Sequence, residues 1–171
     1  SATHAYRRTQ RILCVGEGAK ALVVGCVLAD NVHVNEHMSI EHMAPNTHSE
    51  HRVYTLAQDV AKIDEYSTVT VHHGAFGSVS RQSIRHLLLS EKAQAFSKPA
   101  LMINTDDVDC QHGAVTQLID EALVYYMASR GLDPNQAAQV YLQGYINHVF
   151  EGHGLSERFV ACITRLLRVE N

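Results

Sequence analysis

Between Arg52 and Asn104 the apolar residues come in short runs, RVYTLA, DVAKI, STVTVHH, SIRHLLL and PALMIN, bounded by Gly, Ser, Asp or Asn. Val, Ile, Leu and Thr dominate these runs, which predicts β-strands. STVTV alternates as a half-buried strand does, whereas LLL and ALMI are the continuous runs of strands covered on both faces. Upstream, RILCV, ALVVGCVL and VHV read the same way, with GEG at 16–18 as a turn. Residues 1–10 are polar and read as a frayed end carrying two adjacent arginines. Short strands without intervening helices point to a sandwich, a barrel or a β-solenoid, and no sharp internal repeat chooses among them.

After His112 the period becomes helical. Leu118, Ile119, Ala122, Leu123, Tyr126 and Met127 form one apolar face, and Gly131 supplies a C-terminal stop. Asp133 then caps a second helix with Pro134 at its first position. Ala138, Tyr141, Leu142, Tyr145 and Val149 line one side of it, and Ser156 opens a third helix. The pattern divides the chain into a β part, 1–115, and a helical part, 116–171, packed on it.

Composition narrows the function classes. The 171 residues are 46% apolar and 19% charged, as in a globular domain. A formal charge of −4 without a basic cluster argues against nucleic acid as a main partner. The most apolar stretch, 13–29, is too short and too interrupted by Glu17, Lys20 and glycines to span a bilayer. Cys14, Cys26, Cys110 and Cys162 are far apart, and no signal peptide is visible, which together read as a reducing, cytoplasmic setting. GEG lacks the GK[ST] ending of a phosphate loop.

Histidine is the one oddity, with twelve in the chain. His33, His37, His42, His48 and His51 suggest a metal site, and the residues leave a small His-rich β-fold metal-binding protein or metalloenzyme as an alternative. Their spacing argues for a solvated face instead, since His37 and His42 are five apart and no HExxH or helical pair exists. Cys110 and His112 share one face of a strand and are soft and borderline ligands for iron or zinc. Val108 lies on that same face, so the pair can equally point into a core. Asp106, Asp107 and Asp109 flank them, either as hard oxygen ligands for iron or as solubilising edge residues.

Five segments also carry a resemblance: HMAPNTHSEHRVY (42–54), VHHGAFGSVSRQS (71–83), HLLLSEKAQAFSKPALMI (86–103), NTDDVDCQHGAVTQLIDEALVYYMASRGL (104–132) and SRGLDPNQAAQVYLQGY (129–145). Together they resemble the SufB/SufD scaffold family of iron–sulfur cluster assembly, the SufD type more than the SufB type. The resemblance implies a right-handed parallel β-helix followed by a small C-terminal α-helical unit, and a non-catalytic role. Cys110, His112, Gly113 and Ala114 match the family pattern Cys-x-His-Gly-Ala. By that match, Cys110 and His112 lie at a subunit interface where a transient iron–sulfur cluster or iron is held. SufB-like members carry Glu where Gly113 stands, so independent cluster building is not implied. The implied partners are a SufC-type ABC ATPase, docking on the helical end around Asp133, Pro134, Tyr141 and Tyr145, and a SufB-type scaffold or a second copy. Family members have a helical N-terminal region and more β-helix turns than 171 residues can hold, which implies a fragment or minimal version that oligomerises through its open end.

Overall fold

The computed structural model describes residues 4–150. Eight strands come first: β1 (His4–Cys14), β2 (Lys20–Asp30), β3 (Val32–His42), β4 (His48–Gln58), β5 (Lys62–Val71), β6 (Ser78–Leu88), β7 (Gln94–Ile103) and β8 (Val108–Leu118). Two helices follow, α1 (Glu121–Ser129) and α2 (Pro134–Phe150). All strand pairing is parallel, in one sheet ordered β1-β3-β5-β7 and another ordered β2-β4-β6-β8. The chain therefore winds as a β-solenoid of about four turns, each residue stacking on a partner 28 to 32 positions later. The solenoid and the helices form two compact units, Ser1–Leu118 and Ile119–Asn171.

Corners make this winding possible. Gly18, Asn31, Asn46, Asp59, Gly74 and Gly77 all have positive φ, and each falls between two strands. Corners of successive turns are tied together: Gly18 N–H donates to the Pro45 carbonyl, Asn46 N–H to Phe76, and Gly77 N–H to Asp107. Gly77 is the most demanding position, with φ of +68° and Asn46 Oδ1 2.3 Å from where a Cβ would stand. Gly77→Ala is expected to lower stability by about 1–2 kcal/mol, read as a reduced urea midpoint, because the left-handed conformation penalises alanine and Asn46 must move.

Alternation along the strands sorts residues inward and outward. In β5, Ile63, Glu65, Ser67, Val69 and Val71 are buried, as the STVTV pattern predicts. Met38, Ile40, Val69, Val71 and Ala75 make one apolar cluster, and Ala29, Val34, Ala57, Ala61, Ile63 and Ala93 another. Several expectations change. The polar residues 4–10 are strand, not a frayed end, because β3 pairs with them along their whole length. Residues 112–118 are also strand, since β6 pairs with β8 through Leu118 and overrides the local helical pattern. ALMI is not covered on both faces: Met102 and Ile103 are exposed on β7, the last strand of its sheet among the described residues.

In the helical unit, Asp120 caps α1 by accepting from Leu123 N–H at 3.0 Å. Gly131, at φ +100°, closes the helix, donating its N–H to the Ala128 carbonyl. Pro134 opens α2 as predicted. The Asp133 N–H donates to Gln136 Oε1 and its carbonyl accepts from Ala137, half of a capping box. On α2, Ala137, Leu142 and Ile146 are buried among the described residues; of the face expected, Leu142 is buried and Tyr141 and Tyr145 are half-buried, while the side chains of Ala138 and Val149 lie outside the described residues. The third helix expected from Ser156 lies outside the described residues. Among the described residues, no helix is long and apolar enough to cross a membrane.

Candidate functional site

The candidate site lies on β8, the last strand of its sheet among the described residues. Two inward columns of the solenoid end there. In one, Ser49 and Ser80 stack directly below Cys110; in the other, His51 and Gln82 stack below His112. Cys110 is half-buried and packs on the Met38–Ala75 cluster together with Val108 and Leu101. Burial raises its thiol pKa, and the nearby Asp109 carboxylate adds to this, while a Ser80 backbone hydrogen bond and Arg81 work the other way. His112, two residues on, is exposed.

Cys110 packs against the core from the last strand of its sheet among the described residues. Gly113 is exposed, and a Cβ there would meet nothing within 4 Å.

Of the flanking carboxylates, that of Asp109 is engaged otherwise. Asp109 pairs with Arg81, which also donates to the Asp109 carbonyl at 2.8 Å, and Arg81 holds the Asp109 carboxyl below its usual range. Asp107 is exposed, and its carbonyl receives the Gly77 corner bond. Neither carboxylate converges on Cys110 with a third ligand: among the described residues, no group of three or more His, Cys, Asp or Glu is arranged to hold a metal ion.

The five histidines suggested for metal do not come together. His33 bonds Asp64 at 2.7 Å, His37 stacks on Tyr66, and His48 Nδ1 contacts the Asn46 carbonyl. The solvated-face expectation fails for His42 and His51, which are buried inside the solenoid. His42 contacts Thr47 Oγ1 and Ser49 Oγ at 2.7 and 2.8 Å, and His51 contacts Ser67 Oγ at 3.1 Å. Sequence spacing missed these roles because the partners sit on other strands of the coil.

Strand reading also missed a buried polar column in the other sheet. Arg8, Glu36 and Glu65 stack in register, with Arg8 Nη2 2.8 Å from Glu36 Oε2. Gly25 leaves space beside the Arg8 guanidinium. Burial, reinforced by Glu36, pushes the Glu65 carboxyl up to about 8.

On the helical unit, Asp133 is exposed while Tyr141 and Tyr145, one turn apart, are half-buried along α2, and Pro134 is its first residue. Cys14 is buried and Cys26 half-buried, its thiol pushed up to about 12 by burial, which makes both unreactive. Cys162 lies outside the described residues.

The family described as SUF system FeS cluster assembly, SufBD core domain, matches residues 2–145. The iron–sulfur cluster assembly protein SufD of Bacillus subtilis is 32% identical over 101 residues, covering 57% of this chain and 23% of that protein. SufD of Escherichia coli is 28% identical over 116 residues, covering 66% of this chain and 27% of that protein. SufB of Bacillus subtilis is 25% identical over 132 residues, covering 77% and 28%. The chain thus spans about a quarter of the length of these relatives.

Proposed function

This chain belongs to the SufBD core family of the SUF iron–sulfur cluster assembly system, and from that premise we propose that it is a non-catalytic scaffold subunit. Its role lies in iron–sulfur assembly, in the cytoplasm. The cargo is iron or a nascent cluster, held transiently at a subunit interface. Cys110 supplies a thiolate and His112 an imidazole, a donor pair suited to iron. A cluster usually needs about four ligands, so a partner chain provides the remainder.

One observation carries the reading: Cys110 and His112 sit together on a terminal strand whose outer edge has no neighbour among the described residues. Unpaired strand edges recruit other strands. Exposed apolar side chains on the same last turn, Phe96, Met102, Ile103 and Val115, favour a covering partner. That partner is a SufB-type scaffold or a second copy. The helical unit, through Asp133, Pro134, Tyr141 and Tyr145, docks a SufC-type ATPase whose nucleotide cycle reshapes the interface.

Mixing the chain with a cognate SufC-type ATPase and measuring the mass in solution tests the docking. A defined complex is expected, lost when residues 133–171 are removed while the strand signal in circular dichroism persists. A well-folded chain that stays alone at micromolar concentration, with and without ATP, would sink this part of the proposal.

A further inference from the structure

The β4-β6-β8 sheet carries a depression built largely from outward-facing residues, which also reaches His51, Gln82 and His112 of the neighbouring inward column. Its volume is about 410 Å³, within the range of small-molecule sites. Three strands build it in register. Glu50, Arg81 and Gln111 form one outward row, Arg52, Ser83 and Gly113 the next, and Tyr54 and Arg85 lie beyond. The middle row explains the hollow: serine and glycine follow one another on β6 and β8 where neighbouring rows carry long side chains. No Cβ fills the space over Gly113.

The walls are cationic. Arg52, Arg81 and Arg85 all line the depression, in a chain whose formal charge is −4. Arg52 pairs with Glu50 and Arg81 with Asp109, which fixes two guanidinium groups and cancels their charge. Arg85 is exposed and, among the described residues, has no ion-pair partner. One uncompensated guanidinium therefore stands at the end of a small-residue floor, beyond two others already held in place. Guanidinium groups arranged in this way recognise oxyanions through paired N–H donors, and the fixed ones lose less side-chain entropy on binding.

We propose that this depression binds a small multivalent oxyanion, of the phosphate or polycarboxylate class, with Arg85 as its principal charge contact and the Ser83–Gly113 floor as its seat. Cys110 does not line the depression whereas His112 does, so a bound oxyanion shares the edge of the site with that imidazole and leaves the thiol clear. The proposal does not depend on the scaffold reading, because the titration that tests it involves neither cluster nor partner.

Pyrophosphate and citrate are titrated into the full chain at low ionic strength by calorimetry. Saturable binding of at least one of them, at one site per chain, is expected, and which one binds identifies the oxyanion class. Arg85→Ala should weaken it about tenfold, the scale of one lost charge-assisted hydrogen bond. Gly113→Leu should abolish it by filling the seat, with the fold checked by circular dichroism; the open space at Gly113 accommodates the side chain without a clash at Cβ. Arg7→Ala, an exposed arginine on the other sheet, should leave the affinity unchanged. Absence of saturable binding by either anion, or an affinity that Arg85→Ala and Arg7→Ala lower equally, overturns the proposal.

Discussion

In the proposed scaffold role, replacing Cys110 and His112 together by alanine is expected to abolish cluster assembly with partner chains. Measured by iron content and visible absorbance after reconstitution with a SufB-type and a SufC-type chain, recovery should fall more than tenfold. In that role the pair supplies two of about four ligands, and among the described residues no neighbouring carboxylate or histidine converges on the site to replace them. The single variants should differ. Cys110→Ala should do nearly the full damage, since thiolates are the usual cluster ligands, while His112→Ala should leave a labile cluster. The thiol must also lose a proton that burial helps it keep, so assembly should proceed faster as pH rises from 7 toward 9. Folding is not at stake, because Cys110 is only half-buried and His112 is exposed. Unchanged cluster recovery by the double variant would remove the pair from the mechanism.

A second large effect is expected in stability against pH, with a maximum near pH 6.5. His51 and His86 are buried, and their folded-state pKa values are pushed down to about 4 by that burial, with Arg8 adding to the effect on His51. His42 is lowered for the same first reason. Below their ordinary value of 6.5, the unfolded chain takes up protons that the folded chain refuses, so their contribution is lost as pH falls toward 4. Glu65 acts in the opposite sense. Its folded value of about 8 lies above its ordinary 4.5, so stability declines as pH rises through that window. The two or three histidines outweigh one carboxyl on the acid side; above pH 7 the carboxyl dominates. Each unbalanced proton changes stability by about 1.4 kcal/mol per pH unit, and the unfolded histidines are still half protonated at pH 6.5, so a net loss of about 1 kcal/mol is expected between pH 6.5 and 8. Urea midpoints at pH 5, 6.5 and 8 measure this, and Glu65→Gln should flatten the alkaline limb. A chain as stable at pH 8 as at 6.5 would contradict the assignment of Glu65.

These polar residues also mark where sequence reading reached its limit. The run of alternation in β5 was plain, and so was the start of α2 at Pro134, because both depend on residues within a few positions of one another. Cys110 and His112 were legible as a pair for the same reason, two residues apart on one face. Glu65, by contrast, sits in an alternating strand at an inward position that a pattern reader expects to be apolar. Its neighbours Glu36 and Arg8 stack on it from earlier turns, 29 and 57 residues back. His42 and His51 likewise look like surface residues until Thr47, Ser49 and Ser67 arrive from other strands.

The sequence by itself determined the strand-rich class, the family resemblance, the helix starting at Pro134 and the Cys110–His112 pair. All of these are written in local periodicity or in contiguous motifs. Only the tertiary structure decided which polar residues are interior, that residues 4–10 and 112–118 are strand, and that Cys110 and His112 lie on the last strand of their sheet among the described residues. Those outcomes depend on parallel pairing between residues 28 to 32 apart. In a solenoid each turn is held by the one before it, so a residue's environment is set by a partner a full turn away. A strand too polar to form alone is formed by its neighbour, and a charge too costly to bury alone is buried beside its counterion.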